Sequence, residues 1–314
     1  INRQQCWPTW NSIRGLVMDW TALRISLMGE GKKSLVPARV KLPILPLAVT
    51  KFSQRSSDPN ATPKELGQII ESDSGLTCEL LRYVNSSARG MSQKVTSAQQ
   101  AISLLGVRDC KLYLLTKAVD RALRGRESKL VNLRSFAATN LERALFAKYV
   151  AKLLRTDGET AFAAAMLQDF MLPAITNDLF STYLPFSKEQ EESQIDLHRF
   201  EQKAQKWDHA EAAAHVMLAW GFPDELVCCA LLHHRGLKLL ADKTLGRTPA
   251  AAVAVSALIP DALRQVFNGM DQLIALDSKW PSFDLMAAAE QVDREFQELS
   301  PVTGANPFSF LRHC

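Results

Sequence analysis

Two histidines and one aspartate stand where helical spacing turns them toward the protein interior. His209 and His233 lie in the stretch DHAEAAAHVMLAWGFPDELVCCALLHH, which runs from Asp208 to His234. Each of these two histidines sits on an apolar stripe with the spacing of an α-helix. Asp169 lies on the inward stripe of a separate apolar segment. Imidazole and carboxylate groups placed in this way can bind a metal ion or hydrogen-bond one another.

The stretch that contains both histidines predicts a helical hairpin. Gly221 suits the left-handed position after a helix, and Pro223 suits the first turn of the next helix. His209 precedes this turn by about twelve residues and His233 follows it by about eleven, at a rise of about 1.5 Å per residue. The two histidines are therefore expected to meet at one end of the hairpin.

Asp169 needs a partner because its surroundings disfavour a negative charge. It falls near the C-terminus of a helix predicted over about 159–170, where the helix dipole opposes an anion. An unpaired charge in the core would cost several kcal/mol. His209 or His233 could donate a hydrogen bond to the Asp169 carboxylate or form an ion pair with it.

Length, charge and hydropathy favour an ordinary globular protein. The chain has 314 residues, 47% of them hydrophobic, and a net charge of +4 from 37 basic and 33 acidic residues. Its one notable basic cluster is interpreted as a solvated helix end, so no nucleic-acid partner is expected. That cluster comprises Arg121, Arg124, Arg126 and Lys129.

The cysteines and the apolar runs bear on the cellular compartment. Six cysteines include no C-x-x-C pair, which favours reduced thiols and a cytoplasmic location. No apolar run reaches the roughly 20 residues of a membrane helix, and no signal peptide opens the chain, so no membrane association is expected. The first residue is Ile1 rather than Met, which is typical of a processed product or of one piece of a longer protein.

Helical periodicity and capping signals predict an all-α helical bundle with almost no strand pattern. Thr62-Pro63-Lys64-Glu65 and Thr96-Ser97-Ala98-Gln99 each indicate a helix start, and Gly106 indicates a helix end. The other predicted helices cover about 10–28, 75–84, 107 onward, 133–154, 159–170, 187–206, 249–258, 260–276 and 283–299. The tail from Pro301 is expected to pack loosely.

Four segments in this order resemble the HDOD family, the HD-related output domains of bacterial signalling proteins. They are Leu42 to Ser87, KVTSAQQAISLLGVRDCKLYLL (Lys94 to Leu115), AAMLQDFMLP (Ala164 to Pro173) and the hairpin from Asp208 to His234. The resemblance implies an HD-like fold. It divides the chain into an N-terminal helix and linker (1–41), an HDOD domain (42–245) and C-terminal flanking helices with a tail (246–314). Within the domain, a helical subdomain (42–130) precedes a degenerate HD-like subdomain (131–245).

The same resemblance bears on catalysis. The parent HD superfamily resembles a set of metal-dependent phosphohydrolases whose sequence pattern is a His, then a His-Asp pair, then a distal Asp. In this chain the first His position falls near Thr139, the His of the pair is Gln168, and the distal Asp position falls near Leu258. HDOD proteins have generally lost metal ligands, so the resemblance implies no catalytic residue, no cofactor and no bound metal. What remains is then a vestigial site whose polar side chains are expected to hydrogen-bond one another in the core. Its members are Gln168, Asp169, His209, His233 and His234.

The leading hypothesis is a non-catalytic regulatory protein of the cytoplasm that binds a protein partner or passes a conformational signal between modules. One alternative is a metal-dependent phosphohydrolase acting on a nucleotide. A second is a sensor of a small ligand such as a cyclic dinucleotide. The sequence specifies neither the partner nor the oligomeric state.

Asp169→Ala is expected to lower the free energy of unfolding by about 1–3 kcal/mol, because a buried partner loses its hydrogen bond. Urea-induced unfolding measures the loss. An unchanged unfolding midpoint would show that Asp169 is solvated and contradict the inward orientation.

Overall fold

Every regular element in the described part of the chain is helical. The computed structural model describes residues 18–30, 36–37, 40–42, 44–86, 94–123 and 128–299, and no residue in these ranges belongs to a β-strand. The all-α class is confirmed. The helices are α1 (Trp20–Met28), α2 (Leu47–Arg55), α3 (Pro63–Glu71), α4 (Ser74–Val84), α5 (Ala98–Leu105), α6 (Val107–Leu123), α7 (Leu133–Leu154), α8 (Gly158–Leu167), α9 (Leu172–Asp178), α10 (Phe180–Tyr183), α11 (Phe186–Ser193), α12 (Leu197–Gln205), α13 (His209–Ala219), α14 (Asp224–Leu232), α15 (Leu237–Leu240), α16 (Pro249–Ser256), α17 (Gly269–Asp277) and α18 (Leu285–Leu299).

Capping residues set the helix starts of the N-terminal part. Thr62 accepts a hydrogen bond from the Glu65 backbone, and the Glu65 side chain returns one, so the predicted capping box of α3 is confirmed. The start of α5 was predicted one residue early. Ser97, and not Thr96, is the N-cap, because the Ser97 hydroxyl accepts from the Gln100 backbone. α3 packs against α5, and α6 extends from there to α8.

The centre of the molecule is formed by α7, α8, α14 and α16. α7 packs against α8, α16 and α18, and α14 packs against α8, α13 and α16. Every residue of α16 is buried. The later helices were expected to cover one flank, but α16 lies inside the core because its sequence, PAAAVAVS, is small and apolar on all sides.

Two predicted helices differ from the structure. The helix predicted over 187–206 is broken between α11 and α12, where Gln194 adopts a left-handed conformation with φ of 53°. The helix predicted over 260–276 begins only at Gly269. Arg264 adopts a left-handed conformation with φ of 52°, which a continuous helix over 260–276 cannot contain.

Other predictions fall partly beyond the described ranges. Of the helix predicted over 10–28, the structure describes α1, which packs on α14 through an Arg24–Asp224 ion pair of 2.8 Å. The tail from Pro301 and the basic residues Arg124 and Arg126 lie outside the described residues. None of the described helices is both long enough and apolar enough to cross a membrane.

The predicted hairpin is formed by α13 and α14. Gly221 has φ of +73°, and the neighbouring N–H of Phe222 donates to the Met217 carbonyl at 3.0 Å, which closes the end of α13. A Cβ atom added at Gly221 would meet only Ser53 Oγ, at 3.9 Å. Glycine is therefore required here by the backbone conformation and not by lack of space.

Gly221→Val is expected to lower the free energy of unfolding by about 1 kcal/mol or more, because a β-branched residue resists the left-handed region. Gly221→Asn is the matched control, and it should lose less because asparagine tolerates that conformation. Thermal or urea unfolding measures both. Equal losses for the two variants would show that the left-handed conformation is not the cause.

Candidate functional site

A buried arginine lies at the centre of the predicted polar cluster. Arg143 extends from α7, one turn after Thr139, and its side chain is 2% exposed. Its Nη1 donates to Asp169 Oδ2 at 2.6 Å, and its Nη2 donates to Asp261 Oδ2 at 2.8 Å. One guanidinium therefore forms ion pairs with two carboxylates.

Backbone carbonyl groups complete the surroundings of this arginine. Nε and Nη2 of Arg143 donate to the Ile259 carbonyl at 3.2 and 2.6 Å, and Nη2 also lies 3.4 Å from the Ala257 carbonyl. These carbonyls follow the C-terminus of α16, where the last helical turn leaves its acceptors unpaired. Pro260 keeps the chain from continuing as a helix, so the carbonyls remain available to the guanidinium.

Asp169 lies in the turn after α8 and is completely buried. Its Oδ2 accepts from Arg143 and also from Gln265 Nε2, at 3.1 Å. Its Oδ1 lies 3.3 Å from His209 Nε2 and 3.2 Å from His233 Nε2. The two oxygens thus face different groups, a guanidinium on one side and imidazoles on the other.

His209 is held by a second buried carboxylate, Glu201 of α12. Glu201 Oε2 lies 2.6 Å from His209 Nδ1 and accepts from the His209 backbone at 3.0 Å. Its other oxygen accepts from the Tyr183 hydroxyl at 2.6 Å. Since a carboxylate accepts from the ring, Nδ1 carries a proton and Nε2 points toward Asp169.

The other two histidines come from the end of α14. His233 Nδ1 lies 2.6 Å from the Ala230 carbonyl, which requires a proton on that nitrogen. His234 Nε2 lies 2.8 Å from His209 Nε2. The ring of His234 also stacks on His198 of α12, with 4.5 Å between centroids. His234 is partly exposed, whereas His209 and His233 are buried.

The pKa values follow from these contacts. Burial alone would raise the pKa of Asp169, but its contacts with His209 and His233 and the positive charge of Arg143 hold this pKa well below its usual range. Burial alone would lower the pKa of His209, but Glu201 and Asp169 raise it well above its usual value. Burial lowers the pKa of His234 well below the ordinary value, and the neighbouring histidines lower it further.

The structure brings Asp169, His209, His233 and His234 together, and the two hairpin histidines meet with 5.5 Å between ring centroids. Gln168 is buried but does not join them. No protein group in the described part of the chain hydrogen-bonds its amide, and the Thr139 hydroxyl is in the same situation. Leu258 is a buried apolar residue.

Several members of the cluster were not found by sequence reasoning. Arg143 and Glu201 both lie on the buried faces of their helices. The sequence signal for them is a charged residue at a position where helical periodicity predicts an apolar one. His198 stacks on His234, and His215 is half-buried. Gln265 and Asp261 lie in the irregular segment that was predicted to be helical.

The dinuclear metal centre of an HD-type phosphohydrolase does not fit these residues. Such a centre needs several nitrogen and oxygen ligands and a carboxylate shared between two ions. At the ligand positions of such a centre, Thr139 supplies only a hydroxyl and Gln168 only a neutral amide. Leu258 supplies no ligand atom. Arg143 places a fixed positive charge between Asp169 and Asp261, where a second cation would be repelled.

Residues 42–236 match the HDOD domain family. The chain belongs to the HDOD family. The match contains the arginine, Asp169, Glu201 and the three histidines, whereas Asp261 and Gln265 lie beyond it.

Solved structures with the same fold include two bacterial proteins. An HDOD domain protein of unknown function from Geobacter sulfurreducens aligns with a TM-score of 0.58 and 18% identity, over 87% of each chain. A candidate phosphohydrolase from Shewanella amazonensis SB2B aligns with a TM-score of 0.57 and 18% identity, over 90% of this chain and 94% of the other. At such identities the similarity establishes the HDOD fold and nothing of the activity.

Two curated sequences are also similar to this HDOD chain. An uncharacterized protein of Treponema pallidum (strain Nichols) is 22% identical over 205 residues, which is 62% of this chain and 37% of that protein. The uncharacterized protein YuxH of Bacillus subtilis (strain 168) is 40% identical over 68 residues, 21% of this chain and 16% of YuxH. The chain thus spans well under half the length of both relatives.

Arg143→Met is expected to lower the free energy of unfolding by about 3–5 kcal/mol, because it leaves two inward-facing carboxylates without their cation. The control is Arg294→Met, which removes an exposed arginine 4.0 Å from Glu290 and should change stability by about 0.5 kcal/mol or less. Urea unfolding of both variants measures the difference. A loss from Arg143→Met as small as the control's would contradict the central role of the guanidinium.

Proposed function

We propose that this chain is a non-catalytic regulatory HDOD protein, which binds a protein partner or passes a conformational signal to an attached module. The observation that carries the proposal is the buried contact of Arg143 with Asp169 and Asp261. In an active HD-type centre, carboxylates bind metal ions that activate water. Here a guanidinium pairs with both carboxylates in place of a metal ion, and it cannot activate water.

The burial of the cluster supports the same proposal. Asp169, His209 and His233 have no exposed surface that a phosphoester could reach. A surface recess of about 520 Å³ exists elsewhere, lined by Ser128, Lys129, Val131, Asn132, Leu133 and Asn177. None of these residues belongs to the polar cluster.

The names of structural neighbours point to two different activities. One neighbour is a candidate phosphohydrolase, and another, from Marinobacter aquaeolei VT8, is a candidate signal transduction protein that aligns with a TM-score of 0.57 and 20% identity, over 91% of this chain and 64% of the other. We favour signalling for this chain because its own residues lack the donors for hydrolysis. Binding of a cyclic dinucleotide is the other alternative that an experiment must separate.

Location and domain limits belong to the same proposal. We propose a cytoplasmic protein, in which Cys228 and Cys229 are reduced. Both are buried in α14 without a disulfide, and burial raises the pKa of the Cys228 thiol to about 12. We also propose that the domain runs from 42 to 245, with subdomains 42–130 and 131–245, between the segments 1–41 and 246–314.

The purified chain is expected to hydrolyse neither nucleotides nor bis(p-nitrophenyl) phosphate with added Mn²⁺ or Fe²⁺. Its rate should equal that of Asp169→Ala and of the metal salt alone, because no pair of ions can form at Asp169. Turnover that requires metal, is lost in Asp169→Ala and is kept in Arg294→Met would contradict the proposal and favour the phosphohydrolase. A melting temperature raised by a cyclic dinucleotide in the wild type, but not in His234→Ala, would favour the sensor.

A further inference from the structure

We propose that α1 is a detachable cover and that the α14 surface beneath it binds an amphipathic helix of a protein partner. The α14 surface consists of Asp224, Glu225 and Cys228, which contact Arg24 and Trp20 of α1. The inference rests on the proposed function in one respect, since that function requires a protein partner. The way in which α1 is attached to α14 carries it.

α1 turns one amphipathic face to the rest of the protein. Trp20, Leu23 and Leu27 are half-buried against the core, and Arg24 lies beside them. These four residues have the i, i+3, i+4, i+7 spacing by which a helix anchors in a groove of another protein. No residue of α1 is fully buried. α1 therefore packs as a docked helix does and contributes no fully buried residue to the core.

The polar contacts of α1 are with the first turns of α14. Arg24 Nε lies 2.8 Å from Asp224 Oδ1, and the two side chains are 13% and 20% exposed. Cys228 Sγ donates to the Trp20 carbonyl at 3.7 Å. Burial raises the pKa of Glu225, and a hydrogen bond from the Trp20 side chain opposes that rise. The α14 surface thus suits a helix that presents an indole N–H and a cation four residues apart.

α1 lies outside the family domain, whereas α14 lies within it. The HDOD match begins at residue 42, and α1 ends at Met28. Val36 and Val40 are buried, so the chain after α1 has its own attachment to the domain. An isolated helix of nine residues is marginal in water, which makes α1 dependent on its contact with α14. α1 can therefore leave the α14 surface while the domain stays folded.

α14 links its surface to two other parts of the molecule. Glu225 lies 3.3 Å from Arg108 of α6, which belongs to the N-terminal helices. At the other end of α14, His233 Nε2 lies 3.2 Å from Asp169 Oδ1. A partner helix that replaces α1 thus contacts an element that reaches both α6 and the polar cluster.

A partner helix suits the α14 surface better than α1 of a second copy. The second copy would make the same contacts as the chain's own α1 and would lose the high effective concentration that covalent connection provides. It would also bear the entropy cost of association without any added contact. A partner helix that makes further contacts of its own can displace α1.

The test is the rate at which N-ethylmaleimide labels each cysteine of the full chain, measured by peptide mass spectrometry. Cys228 is buried beneath α1, and its thiol should regain ordinary reactivity when α1 leaves. Cys229 is buried in the core and reports global unfolding, whereas the exposed Cys78 is the reference.

Arg24→Glu should raise the labelling rate of Cys228 by about tenfold or more, because a half-buried ion pair becomes a repulsion with Asp224. Cys229 and Cys78 should label as in the wild type. The matched control is Arg294→Glu, which changes an exposed arginine of α18 and should leave the Cys228 rate unchanged.

A peptide of residues 18–30 tests whether the α14 surface accepts a helix from another molecule. At saturating concentration it should return the Cys228 rate of the Arg24→Glu chain to the wild-type value. The same peptide carrying Arg24→Glu should not slow the labelling, because it cannot pair with Asp224.

Three results would overturn the proposal. Equal Cys228 rates in wild type and Arg24→Glu, or Cys228 and Cys229 rates that rise together, would show that α1 does not detach by itself. A wild-type peptide that gives no protection would show that the α14 surface accepts no separate helix. A wild-type dimer whose Cys228 rate falls with chain concentration would assign the surface to a second copy.

These results are separate from the test of the proposed function. Metal-dependent turnover that is lost in Asp169→Ala would contradict the non-catalytic role and leave the Cys228 rates as they are. Failure of the Cys228 experiments would reject the α14 surface and leave the non-catalytic role standing.

Discussion

The contact of Arg143 with Asp169 and Asp261 is the interaction on which the rest of this structure depends. Burying three charges carries a large desolvation cost, which is offset only when each charge is paired and its remaining hydrogen bonds are made. The guanidinium meets that condition through two carboxylates and the carbonyls that follow α16. It joins α7, the turn after α8 and the segment after α16, which lie far apart in the sequence. The burial of these charges therefore depends on all three parts at once.

The same contact makes the two sides of Asp169 chemically different. Oδ2 is bound to a cation that is permanently charged and cannot dissociate, and Gln265 occupies its remaining direction. Oδ1 faces imidazoles whose outer nitrogens are held by Glu201 and a backbone carbonyl. Under the proposed function, the chain keeps this ordered polar core without activating water. The core connects the hairpin to the centre of the molecule.

Sequence patterns were sufficient for features that depend on local chemistry. The capping box at Thr62, the left-handed Gly221 and the meeting of His209 with His233 all follow from spacing and backbone preference within one helix or one hairpin. The patterns were insufficient where distant segments decide the outcome. Arg143 and Glu201 lie at helical positions that periodicity predicts to be buried. Only the tertiary structure shows the carboxylates that pair with Arg143 and the histidine that pairs with Glu201. The helix predicted over 260–276 begins only at Gly269, and the irregular segment before it contains Asp261 and Gln265.

The central claim is that a guanidinium, and not a metal ion, lies between Asp169 and Asp261. A crystal structure of the native protein, with anomalous diffraction recorded at the absorption edges of zinc, iron and manganese, tests it most directly. The account predicts the Arg143 side chain within hydrogen-bond distance of both carboxylates and no anomalous peak between them. An anomalous peak at that position, with Arg143 turned away toward solvent, would contradict it.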